Sequence, residues 1–118
     1  MEEEFVKDKV KNWLSKSHEM VFSRGGPDVQ AEDMEINLDK PGIIFRGVQV
    51  ECKGTDADVD KALGQTLRYA FKSPSGQTYL AVAEDYGNLE VLQQMMDAFN
   101  LPIGLLIVKY DGTVEVKK

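Results

Sequence analysis

The stretch Val48-Gln49-Val50-Glu51-Cys52-Lys53-Gly54 alternates apolar and polar side chains with a period of two. Successive side chains of a β-strand point to opposite faces, so this pattern constrains the segment to an extended strand with one face in a core. Val48, Val50 and Cys52 then share one face, and Gln49, Glu51 and Lys53 share the other. A carboxylate and an ammonium stand side by side at the end of a strand, over an otherwise apolar sheet. Charge in that place is costly unless it is used. A carboxylate can hold a divalent cation, and a neighbouring lysine can position or activate a water.

The rest of the composition narrows the chemistry. A chain of 118 residues suits one domain with one modest core, spanning 1–118. Hydrophobic content of 42% and charged content of 29% fit a soluble globular protein, and no apolar run approaches the length of a membrane span. The opening Met1-Glu2-Glu3-Glu4 is acidic where a secretory leader is basic, and the single cysteine forms no internal disulfide. Both point to the cytoplasm and to no membrane partner. One histidine and one cysteine exclude a conventional His/Cys zinc site within one chain. There is no Gly-x-Ser-x-Gly elbow and no Gly-Lys-Ser/Thr phosphate loop. A Cys52–His18 nucleophile pair is disfavoured, because Cys52 falls on the core face of its strand and a buried thiol is usually inert. The net charge of −6 argues against strong non-specific nucleic-acid binding by a bare monomer. Part of that deficit can be local, since carboxylates gathered at a metal site count as negative until the metal binds.

Periodicity and breakers order the elements. Residues 3–18 read as a helix with Phe5, Val6, Val10, Trp13 and Leu14 on one face. Met20-Val21-Phe22 is a short strand, and Arg24-Gly25-Gly26-Pro27 breaks it. Asp28 opens an extended stretch to Leu38, whose Glu32–Glu35 portion is poor strand material and suggests an excursion or bulge. Lys40-Pro41-Gly42 is turn chemistry, and Ile43–Lys53 is the longest strand candidate, with a break expected at Arg46-Gly47. Thr55 reads as the N-cap of a helix reaching Lys72, with Val59, Ala62, Leu63, Thr66, Leu67, Ala70 and Phe71 on its apolar face. Ser73-Pro74-Ser75-Gly76 ends it, and Thr78–Ala83 is an apolar strand. Asn88 caps a helix carrying Leu89, Leu92, Met95, Met96 and Phe99, Ile103–Lys109 is a buried strand, and Asp111-Gly112 is a two-residue hairpin turn into Thr113–Val116. The order is α-β-β-β-α-β-α-β-β, an α/β chain with a mixed sheet flanked by helices.

Pro27-Asp28, then Glu51-Cys52-Lys53 closing a strand, then a helix bearing Gln65 resembles the PD-(D/E)XK nuclease superfamily. The helix segment Lys61–Ala70 and the ending Gly104–Val108 with Asp111-Gly112 are similar to corresponding parts of that family. The resemblance covers nearly the whole chain as an order of elements, and about four residues as a motif. It implies a three-layer restriction-endonuclease-like fold and a nuclease that hydrolyses phosphodiester bonds with Mg²⁺ or Mn²⁺. It makes Asp28, Glu51, Lys53 and Gln65 the catalytic set, with Asp28, Glu51 and the backbone carbonyl of Cys52 as metal ligands. Lys53 orients or activates the water, while Glu3 and Tyr69 are accessory. Lys61, Arg68 and Lys72, on the helix face opposite the apolar one, are candidates to bind nucleic acid, DNA in preference to RNA.

Each feature has a plainer reading. A Glu-x-Lys triplet arises by chance, and Glu115-Val116-Lys117 repeats it on what reads as a solvated edge strand. Glu51–Lys53 alone can be a surface ion pair, Asp28 a turn residue, and the basic helix face a solvated one. Two departures from the family pattern stand out. Asp28 lies 23 positions before Glu51, longer than in compact members, so the intervening chain must loop out or extend a hairpin. The acidic balance stands against tight duplex binding by the chain alone, and a homodimer or a protein partner that supplies basic surface would ease it. The competing function is a non-catalytic module of the same fold that binds nucleic acid or protein, and a third is hydrolysis of another phosphate ester.

Overall fold

The computed structural model describes residues 1–18, 20–22, 28–36, 43–72 and 77–117, and for 20, 22, 32–36 and 43–46 the backbone alone. The elements are α1 (Glu3–Ser15), β1 (Met20–Phe22), β2 (Val29–Ile36), β3 (Ile43–Lys53), α2 (Val59–Lys72), β4 (Gln77–Ala83), α3 (Leu89–Phe99), β5 (Gly104–Val108) and β6 (Val114–Val116). The strands form one sheet in chain order, β1-β2-β3-β4-β5-β6. The β3–β4 and β4–β5 pairs are parallel, because α2 and α3 carry the chain back across the sheet. The other pairs are antiparallel.

Both faces of the sheet are covered. Val6, Val10 and Leu14 of α1 pack on Val29, Ala31, Val50, Cys52, Ala81, Ala83, Leu106 and Val108. Ala62 and Leu63 of α2 and Leu92 and Met96 of α3 pack on Leu80, Val82 and Leu105 from the other side. Central parallel strands buried on both faces need continuous apolar runs, which explains Leu80–Ala83 and Leu105–Val108. Among the described residues, no helix is long and apolar enough to cross a membrane.

Several expectations are corrected. α1 ends at Ser15, short of His18, because no apolar residue beyond Leu14 remains to bury. β2 has no excursion. It pairs with β3 in unbroken register from Val29↔Val50 to Ile36↔Ile43, and β3 passes Arg46-Gly47 without interruption. Eight consecutive cross-strand pairs outweigh the low strand propensity of Glu32–Glu35. The cap of α2 is Asp58, whose Oδ1 accepts the N–H groups of Asp60 (2.8 Å) and Lys61 (3.2 Å). Thr55 instead ties neighbouring loops together. Its N–H donates to the Met1 carbonyl at 3.0 Å and its hydroxyl to Asp85 Oδ1 at 2.7 Å. Asn88 precedes α3 without making a side-chain cap bond. Phe71 and Phe99 are 86% and 69% exposed, since each sits in the last turn of its helix, outside the buried stripe. The β5–β6 loop has three residues, not two. Gly112 N–H donates to the Lys109 carbonyl and Lys109 N–H to the Thr113 carbonyl, both at 2.9 Å. Gly112 takes φ +88°, which an L side chain resists. Asp111 Oδ1 holds the loop by accepting the Thr113 N–H at 2.9 Å and its hydroxyl at 2.7 Å. The breaks expected at Arg24–Pro27, Lys40–Gly42 and Ser73–Gly76 lie outside the described residues.

Candidate functional site

The β2–β3 register brings the acidic residues together. Val29 is paired with Val50 and both point into the α1 core, so the next position outward sets Asp28 opposite Glu51 on the α2 face. Of the 22 residues between the two acids, 29–36 and 43–50 are the two arms of this ladder. Asp28 Oδ2 accepts the Cys52 N–H at 2.9 Å. In a strand a residue's N–H and C=O point to the same side, so the Cys52 carbonyl also faces the Asp28 side of β3. Glu51 is 4% exposed and hydrogen-bonds both Asp28 and the Tyr69 phenol. Lys53 follows on the same face, with Nζ 3.8 Å from Glu3 Oε1 at the start of α1.

The helix above is pinned to the sheet by a glutamine. Gln49, on the same stripe as Glu51, donates from Nε2 to the Tyr69 carbonyl (2.9 Å) and to Thr78 Oγ1 (2.8 Å). This fixes the rotation of α2 that lowers the Tyr69 ring onto Glu51. Burial pushes the Glu51 carboxyl up to about 8, and the hydrogen bond and negative charge of Asp28 add to the rise. Lys53 and the Tyr69 hydroxyl pull it back only in part. Burial, with the adjoining Glu51 charge, raises the Tyr69 phenol as well. Near neutral pH the Glu51 carboxyl, set against Asp28, therefore keeps a proton that a divalent cation can replace.

Asp28, Glu51, Lys53, Tyr69 and Glu3 thus converge at the end of β3. Neither a protein-family model, nor a curated protein, nor a solved structure matches this chain.

Gln65 is exposed on α2 and hydrogen-bonds neither carboxylate. Lys61, Arg68 and Lys72 are exposed on the same helix. Pro27 lies outside the described residues. Among the described residues no group of three or more His, Cys, Asp or Glu side chains could hold a metal. Asp28 and Glu51 with a peptide carbonyl form a smaller donor set of two carboxylates. Burial pushes the Cys52 thiol up on the α1 face, beside the core, where it is unsuited to attack. The second triplet is a surface cluster, with Glu115 3.3 Å from Lys109 and 3.4 Å from Lys117. Sequence reasoning missed Gln49, although it shares the polar stripe of Glu51, and placed Tyr69 only at the edge of the site.

Proposed function

We propose that the protein is a metal-dependent nuclease with a restriction-endonuclease-like fold, hydrolysing phosphodiester bonds in nucleic acid, DNA in preference to RNA. The observation that carries this reading is the contact of Asp28 with the buried Glu51 beside Lys53 at the end of β3. Structural ion pairs set a carboxylate against a cation, whereas here the buried Glu51 carboxyl lies against a second, half-buried carboxyl, that of Asp28. Such a pair favours a doubly charged ligand.

Asp28, Glu51 and the Cys52 carbonyl would hold Mg²⁺ or Mn²⁺. When bound, such an ion neutralises charge on a phosphate oxygen and lowers the pKa of a water. Asp28 is oriented by the Cys52 N–H, which occupies Oδ2. Tyr69 donates to Glu51 and fixes its carboxylate. Lys53, its side chain 17% exposed, has three N–H donors for a water or a phosphate oxygen, with Glu3 Oε1 3.8 Å from its ammonium. Gln65 and the cations Lys61, Arg68 and Lys72 lie on the outward face of α2, where a bound strand meets them. The net charge of −6 favours a homodimer or a partner that adds basic surface, and it is the one observation on the side of a non-catalytic binding module.

The test is cleavage of a labelled panel (single strand, duplex, flap, four-way junction, RNA) with Mg²⁺ or Mn²⁺, comparing wild type with Lys53→Ala. Cleavage should disappear with chelator and in Lys53→Ala, while circular dichroism stays unchanged. Mn²⁺ should raise the melting temperature of wild type and not of Glu51→Ala. Absence of both cleavage and the Mn²⁺ shift overturns the nuclease reading in favour of the binding module.

A further inference from the structure

The outward side of α2 carries a combination found on no other described helix. Between Asp60 and Glu84 the chain has no acidic residue, in a sequence with 20 of them. The cations of that stretch, Lys61, Arg68 and Lys72, are all exposed, and Phe71 between the last two is 86% exposed. At 3.6 residues per turn, Lys61, Arg68 and Lys72 fall on one line down the helix. Tyr69 falls on one flank of that line and Phe71 on the other. The Tyr69 flank reaches Glu51, so a path across α2 leads from the carboxylate pair, past the cations, to the bare phenyl ring. The helix is about 10–12 Å across, so the path is short.

Resting on the nuclease reading above, we propose that the strand bound at this site is single-stranded nucleic acid, with an unpaired base stacked on Phe71 and its phosphates held by Arg68 and Lys72. Charge complementarity selects a polyanion for this face of an otherwise acidic chain. An exposed ring beside cations is the arrangement that binds an unpaired base, whose π-face a duplex keeps within its own stack. Among the described residues, Phe71 contributes to neither core cluster.

Binding is measured in chelator, where cleavage is absent, with a fluorescein-labelled single strand of about 12 nucleotides and the matching duplex. Wild type should favour the single strand. Phe71→Ala should weaken single-strand binding about tenfold and leave duplex binding unchanged. Phe71→Trp should retain affinity and show quenching of its new fluorescence, with the partly buried Trp13 of wild type as the reference. Equal single-strand affinity for Phe71→Ala and wild type overturns the inference, as does a preference for duplex. So does a wild-type dimer that Phe71→Ala dissociates, since the ring then meets a second copy. Lys53-dependent cleavage of duplex alone would defeat this inference and leave the nuclease standing. Phe71-dependent single-strand binding with neither cleavage nor the Mn²⁺ shift would do the reverse.

Discussion

At the scale of single residues, Glu51 is the most informative group. Its folded-state value of about 8, against 4.5 for a free carboxyl, means that the native protein keeps a proton that the unfolded chain releases. In chelator, stability should therefore be highest in mild acid and fall as pH rises from about 4.5 towards 8. Glu51→Gln should flatten that slope and stabilise the metal-free protein at pH 8 by more than about 1 kcal/mol, a rise of several °C in melting temperature. Thermal melts across pH, with and without Mn²⁺, check this. A slope unchanged by the substitution would mean that Glu51 titrates normally. The alternation around Glu51 and Lys53 was enough to place both residues, because period two in a strand needs no tertiary information. Tyr69 and Gln49 were less accessible, since their contact depends on how α2 is rotated over the sheet, and periodicity tells which face is buried but not what the rim touches.

At the scale of elements, local chemistry decides the ends and pairing decides the middles. Asp58→Ala removes the side-chain acceptor for two N–H groups at the start of α2 and should cost about 1 kcal/mol. Gly112→Ala forces a Cβ onto φ +88° and within 3.3 Å of the Lys9 side chain, and should cost about 1–2 kcal/mol. Chemical denaturation of each variant measures both values. A neutral Gly112→Ala would mean that the loop relaxes to another turn. The order of all nine described elements followed from apolar periodicity and Gly/Pro punctuation. The continuity of β2 did not, because Glu32–Glu35 looks unlike a strand until β3 is laid beside it. The α2 cap was misread for a related reason. Thr55 and Asp58 are both cap residues, and only the loop path shows that Thr55 is engaged elsewhere.

At the scale of the whole molecule, the site depends on α1 docking against the end of β3. Gly54 makes that approach close enough, since a Cβ there would lie 2.9 Å from the Glu3 nitrogen and 3.0 Å from the Met1 carbonyl oxygen. These are backbone atoms, so Gly54→Ala must push the first turn of α1 away. It should destabilise by about 1–3 kcal/mol and weaken the Glu3–Lys53 contact, lowering any Lys53-dependent cleavage with both side chains still present. Denaturation and cleavage rates of Gly54→Ala, measured beside Glu3→Gln, separate the displaced helix from the lost charge. The β2–β3 ladder carries one more consequence, for how such a site tolerates insertions and deletions. Extra residues between Ile36 and Ile43 lengthen the far end of the hairpin and leave Asp28 facing Glu51. One residue gained or lost within a single arm turns one of the two acids to the opposite face of the sheet. The distance between them along the chain is thus free to drift, and the parity of each arm is not.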